Sequence, residues 1–266
     1  MKILIPLDFS ENSKKALEFA LGIFQDSENT FILCHVVEMV YDFASQAAIA
    51  IEGLHASAKK HLEELMLEYD SPNAEFHAEI LEGTPSIQLA KLAEEKNADM
   101  VIMGTHGISG IKKVLVGSTA VNVLKESSIP VLLVPEEAET SSTRKISLAL
   151  ELADHEEELI EKVVNWSKVW TMDLQILHVF KEESFVEKLA LLGLEKYLKE
   201  RLGYTPSIHS QRDNDVIHGI QELLNGHKDN MLTMCHSQKN LWDQLLRKGT
   251  SIEMAYRVRI PLLVMV

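Results

Sequence analysis

The chain carries one pattern twice, and that duplication limits what it can fold into. Lys2-Ile3 precedes His35-Val36 by the same separation at which Lys145-Ile146 precedes His178-Val179. Both halves close on Ile-Pro and a run of apolar residues, at Ile129-Pro130 and Ile260-Pro261, and Met231 to Met234 stands where Met100 to Met103 stands in the first copy. The second copy is shorter and lacks a counterpart of Val40 to Glu52. A unit this long exceeds the repeats of about 20–50 residues that stack into solenoids, so the pattern describes two copies of one domain. The acidic, aperiodic stretch Glu136 to Thr143 reads as the linker, which sets the domains at 1–137 and 144–266.

Within the first copy, short apolar runs alternate with helical periodicity. Lys2 to Leu7 reads as a strand, Ser10 to Ser13 as a helix start, and Ala16, Leu17, Ala20 and Ile23 as the buried face of the helix that follows. Phe31 to Val37 is a second strand, followed by a long helical stretch ending near Tyr69. The alternation from Ala74 to Leu81 is a third strand, and Thr84-Pro85 opens a helix through Ala93. Ala98 to Met103 is a buried strand, residues 104 to 117 form a glycine-bearing loop, and a helix over 118–126 leads to a last strand at Pro130 to Val134. Strands that are nearly all apolar and alternate with helices imply an α/β fold: an open, five-stranded parallel sheet in each copy, with helices on both faces.

Charge narrows the partners. Twenty-six Lys plus Arg against 40 Asp plus Glu give a net charge of -14, which repels phosphate backbones and anionic lipid surfaces. Nucleic acid and membrane are therefore excluded as expected partners. Cys34 and Cys235 sit far apart in apolar runs with no metal-ligand spacing, and Cys235-His236 has no further ligand nearby, so neither a disulfide framework nor a protein metal site is expected. His55 and His61, six apart, do not share a helix face at metal-ligand spacing. The opening MKILIPLDFS is too short in apolar residues for a signal peptide, and the expected location is the cytoplasm.

In an open parallel sheet, ligands sit beyond the C-terminal ends of the strands, where strand order reverses. Asp8, Val36 and Met103-Gly104-Thr105-His106-Gly107 fall at such ends, and the glycines continue as Gly104, two residues, Gly107, nine residues, Gly117-Ser118. A glycine loop running into a helix start lets backbone amides approach an anion, and the helix adds partial positive charge. Residues 1–135 contain no arginine, so any phosphate held there is held mainly by main chain; Lys112 and Lys113 are the basic residues of the loop. Gly110 falls outside the spacing and reads as a turn glycine. Asp8 is either a ligand residue or a helix cap, with Ser10 the better cap, and Ser118 serves as ligand, as N-cap, or as both.

On these residues the sequence resembles a tandem member of the universal stress protein family. The family's pattern of Gly, two residues, Gly, nine residues and Gly-Ser or Gly-Thr is met by Gly104, Gly107, Gly117 and Ser118. Its Pro-Val-Asp-Gly-Ser opening is similar to Pro6-Leu7-Asp8-Phe9-Ser10, with Phe9 departing from the usual small residue. The resemblance implies a Rossmann-like fold of the adenine-nucleotide alpha hydrolase type and an ATP site in the first copy. It implies that Asp8 and Val36 meet base and ribose, with Pro6 and Leu7 in the same binding set, and that Met103, Gly104, His106 and Gly107 line ribose and phosphates. Gly117, Ser118 and Thr119 would hold the phosphate tail, with Mg2+ bridging the phosphates. In the family the last strand commonly pairs with a second domain, so Val131 to Val134 and Leu262 to Val266 imply an intrachain pseudo-dimer and leave room for a homodimer.

The second copy breaks the motif. Glu151 aligns with Asp8, Cys235 and Gln238 replace Gly104 and Gly107, and only Gly249-Thr250 survives, so no ATP is expected there in the same way. All three tryptophans lie in this half, and Trp166 and Trp170 share a helix face suited to packing. Glu156 to Glu158 reads as a solvated helix start. Tyr41 to Ile51, apolar and absent from the second copy, reads as a lid over the nucleotide, a contact surface or simple packing. The expected function is an ATP-binding regulatory or sensor protein of the stress response, with slow hydrolysis at most and no assigned catalytic residue. Nucleotide occupancy would signal by ordering residues 104 to 117. The competing reading is a scaffold or a module for a non-nucleotide small molecule.

Overall fold

The computed structural model describes residues 1–38, 47–105, 117–138, 143–182, 184–235 and 259–266. The chain forms two compact units, Met1–Thr140 and Ser141–Met265. Most of the stretch Tyr41 to Ile51, with His106, Gly107, Gly110, Lys112, Lys113, His236, Gln238 and Gly249-Thr250, lies outside the described residues.

In the first unit the order is β1 (Lys2–Pro6), α1 (Glu11–Ile23), β2 (Asn29–Val37), α2 (Ala47–Glu68), β3 (Ala74–Glu82), α3 (Pro85–Glu95), β4 (Met100–Gly104), α4 (Ser118–Glu126) and β5 (Val131–Val134). The strands lie in the order β3-β2-β1-β4-β5, and their pairings are parallel. Ile3, Leu4 and Ile5 have no exposed surface, and every residue of β4 and β5 is buried. Such strands read as unbroken apolar runs because helices cover both faces. Each fully buried side chain of this size stabilises the fold by about 1.5–3 kcal/mol. β3 is an edge strand with a half-exposed face, which is why its sequence alternates.

The local starts follow from side-chain chemistry. Ser10 caps α1 by accepting a hydrogen bond from the Ser13 amide at 3.2 Å. Pro85 occupies the first turn of α3, where its missing N–H costs nothing. The chain steps from β1 through β2 to β3 in one direction, then crosses back to β4 and on to β5. Right-handed crossovers therefore put α1 and α2 on one face and α3 and α4 on the other, and α3 and α4 pack against each other.

The second unit comprises β6 (Lys145–Ala149), a 3-10 turn (Asp154–Glu156), α5 (Glu157–Val169), β7 (Asp173–Phe180), α6 (Phe185–Arg201), β8 (Ser207–Arg212), α7 (Val216–Leu224), β9 (Asn230–Cys235) and β10 (Leu262–Met265). Its strands lie in the order β10-β9-β6-β7-β8, again in parallel pairs. The duplication extends to individual hydrogen bonds. The Leu7 amide donates to Cys34 O at 2.8 Å and the Leu150 amide to Leu177 O at 3.0 Å. His35 Nδ1 lies 2.7 Å from Leu7 O, and His178 Nδ1 lies 2.9 Å from Leu150 O. Phe9 and Leu152, at equivalent places, both have a φ of 63°. This left-handed conformation is easy for glycine and costs other residues about 1 kcal/mol. It explains why a small residue suits the position. Phe9 offsets the strain by stacking on His35, with ring centroids 4.6 Å apart, and by lying 5.0 Å from the His61 ring.

Two expectations are corrected here. Glu156 is not solvated: it is 2% exposed, and its carboxylate accepts from the amides of Glu151 at 3.0 Å and Ala153 at 2.9 Å. It tethers the turn after β6, while Glu157 and Glu158 remain exposed. Ser118 is not the cap of α4: Gly117 holds that position, and Ser118 is the first helical residue. Trp166 and Trp170 are both buried and stack with centroids 5.0 Å apart. Among the described residues no helix is long and apolar enough to cross a membrane.

Replacing Glu156 by Ala removes the acceptor for two amides and is expected to destabilise the second unit by about 1–3 kcal/mol. Urea unfolding followed by tryptophan fluorescence reports that unit selectively, since residues 1–143 hold no tryptophan. A midpoint identical to that of the native chain would refute the tethering role.

Candidate functional site

The divergence of the crossovers leaves a crevice of about 350 Å3 beyond the C-terminal ends of β1, β2 and β4 in the first unit. Pro6, Leu7 and Asp8 come to it from the end of β1, Val36 from β2, Met103 and Gly104 from β4, and Gly117, Ser118 and Thr119 from the start of α4. The structure thus brings together every site residue predicted from the sequence that it describes. His35, Glu38 and Thr105 also line it and were not among the predicted residues. His35 was visible only as a landmark of the repeat, and Thr105 only as a neighbour of Gly104.

The chemistry of the walls is sparse in charge. Asp8 Oδ1 accepts from the Ser10 amide at 3.1 Å and from the Ser10 hydroxyl at 2.6 Å. Asp8 therefore braces the turn into α1, and Ser10 caps that helix. The His35 ring is oriented by its Nδ1, which faces Leu7 O and so carries the proton that this carbonyl accepts. Among the described residues no lysine or arginine lines the crevice.

The two described glycines of the motif serve different ends. A Cβ on Gly104 would stand 2.7 Å from Asn12 Nδ2 and 2.9 Å from Asn12 O, so α1 packs directly on this residue. Gly104 is needed for helix–sheet contact whether or not anything binds. Gly117 has a φ of -66°, and a Cβ there would meet Thr105 O at an ordinary 3.5 Å. Neither backbone conformation nor packing among the described residues demands glycine at that place. Its amide donates to Thr105 O at 2.6 Å, and among the described residues no side chain caps the helix that begins beyond it. The first amides of α4, in residues that line the crevice, are of the kind that bind anions at helix starts.

Cys34 is fully buried, and burial pushes its thiol far above the ordinary range, with the Glu79 carboxylate adding to the effect. Cys235, at the end of β9, is pushed up to about 11, first by burial and then by the charges of Glu156 and Glu151.

A parallel sheet with helices on both faces and a crevice where strand order reverses defines a doubly wound α/β domain, the class that holds small ligands at this point. The universal stress protein family matches residues 1–135, just over half the chain, and the chain belongs to that family. It is 32% identical over 138 residues to universal stress protein MJ0531 of Methanocaldococcus jannaschii, covering 50% of this chain and 81% of that protein. Universal stress protein MJ0577 of the same organism is 30% identical over 151 residues, covering 50% of this chain and 93% of the relative. A crystal structure of a universal stress protein from Archaeoglobus fulgidus matches the fold over 99% of this chain and 95% of its own, with a TM-score of 0.75 and 22% identity.

Gly104→Ala is expected to destabilise the first unit by about 1–3 kcal/mol through overpacking, whereas Gly117→Ala is expected to cost less than about 1 kcal/mol. Urea titrations followed by circular dichroism separate the two; equal losses would contradict the assignment of Gly104 to helix packing. Alkylation offers a second check. In the native chain, iodoacetamide should leave Cys34 unmodified, while the rate at Cys235 should still be climbing at pH 10, above the ordinary thiol value of 9.0. A plateau near pH 9 would contradict the buried, acidic surroundings of Cys235.

Proposed function

We propose that the first unit binds an adenine nucleotide in the crevice at the ends of β1, β2 and β4, and that the protein acts as a nucleotide-responsive regulator in the stress response. The observation that carries this reading is the start of α4. Among the described residues no side chain caps its amides, and the residue before them is a glycine that neither its φ nor its described neighbours require. A phosphate group at this helix start would gain main-chain donors and the positive end of the helix dipole. Gly117 would let it approach, and Ser118 and Thr119 would add hydroxyl donors.

The adenosine end would lie toward Pro6, Leu7, Asp8 and Val36, with Met103 and Gly104 between it and the phosphates. His106 and Gly107 belong to the same proposed set through the motif. Mg2+ would travel with the polyphosphate and lower its charge in a chain of net charge -14. Efficient phosphoryl transfer needs a cationic group on the transferring phosphate and a base for the attacking water. The described lining supplies neither lysine nor arginine. Occupancy, not turnover, is therefore the proposed output, with slow hydrolysis at most.

Calorimetric titration of the full chain with ATP and Mg2+ is expected to give one site per chain. Gly117→Val should weaken it at least tenfold while the melting temperature of the free protein moves by only a few degrees. Absence of binding by the native chain, or undiminished affinity in the variant, would overturn the reading.

A further inference from the structure

The second unit holds a crevice of its own, of about 700 Å3, at the C-terminal ends of β6, β7, β8 and β9. Its volume lies in the range of small-molecule sites, about 300–1,000 Å3. It occupies the place in the duplicated fold that the proposed nucleotide crevice occupies in the first unit, but its chemistry differs. Cys235 ends β9 where Gly104 ends β4. Among the described residues four carboxylates line it, Glu151, Glu156, Glu182 and Glu187, against two cationic residues, Lys181 and Arg212. Its apolar surface comes from Val179, Phe180, Val216, Ile220 and Met234.

His178, in this lining, is the second observation. It is 5% exposed, and its Nε2 is buried with no hydrogen-bond partner among the described residues. Its Nδ1 faces Leu150 O at 2.9 Å, and a carbonyl only accepts, so the proton of the neutral ring sits on Nδ1. Nε2 is then an acceptor with no donor among the described residues, and a buried polar group without a partner calls for one. The ring also lies nearly parallel to Phe180 on the same face of β7, with centroids 6.3 Å apart and an interplanar angle of 23°.

We propose that this crevice is a second ligand site, independent of the first, that takes a small ring-bearing amine or alcohol and discriminates against carboxylates and phosphates. Phe180 and the aliphatic wall receive the ring, an O–H or N–H of the ligand donates to His178 Nε2, and the excess of carboxylates favours an uncharged or cationic molecule. The same excess makes the crevice hostile to a polyphosphate, in keeping with the loss of the glycines.

The test is a methyl-resolved NMR titration of the full chain, separately with benzylamine, benzyl alcohol, benzoate and ATP. Benzylamine and benzyl alcohol should shift the Ile220 and Met234 methyl resonances saturably, at affinities at least tenfold above benzoate, and ATP should leave those resonances in place. His178→Phe, which keeps a ring and removes the acceptor, should weaken benzyl alcohol at least fivefold. Glu182→Lys, at an exposed position that leaves the fold intact, should move the benzylamine-to-benzoate ratio toward benzoate at least threefold. Equal or tighter binding of benzoate by the native chain, no saturable shift with either amine or alcohol, or an unchanged ratio in Glu182→Lys would each overturn the proposal.

Discussion

Right-handed crossovers leave β1 and β4 toward opposite faces of the sheet, and the gap between them is the constraint on which the rest of the first unit depends. Once β1 pairs with β2 on one side and β4 on the other, the turn after β1 and the loop after β4 must part. Asp8 and Ser10 stabilise the first departure, and Gly104 lets α1 lie close enough to β4 to cover it. The start of α4 then faces the gap, its amides uncapped by any side chain among the described residues. Burial of the central strands is what holds this geometry rigid.

The second unit shows how far the same backbone can be kept while its chemistry is exchanged. The histidine-to-carbonyl contact, the amide bond between neighbouring strand ends and the left-handed turn residue all recur. Each is made by main chain or by a side chain locked onto main chain, so each survives replacement of the surrounding residues. The groups that face the crevice are under no such restraint. Glutamates and a cysteine stand there in place of an aspartate and a glycine, and the cavity is twice as large.

Much of this was legible in the residues. Alternating apolar runs and helical periodicity located the strands, because a strand buried on both faces has no room for polar side chains. The glycine spacing picked out Gly104 and Gly117 without distinguishing them: only the position of Asn12, far away in the sequence, shows that one of them is a packing glycine. Glu156 looked like a helix-start acid because the two amides it satisfies lie in a turn whose path the sequence does not reveal. Ser118 looked like a cap because serine favours that position, but here the extended backbone of Gly117 precedes the helix. His178 carried no signal beyond its place in the repeat.

Composition, periodicity and repetition determined that this chain makes two α/β units of parallel strands, since those patterns record which residues are shielded from water at each step along the strand or helix. They also marked the strand ends where loops gather. Which side chains meet at those ends was decided by tertiary structure alone. Crevice size, a histidine acceptor unmet among the described residues and the charges that line the crevice arise from contacts between residues distant in sequence, and no local pattern encodes a distance across a sheet.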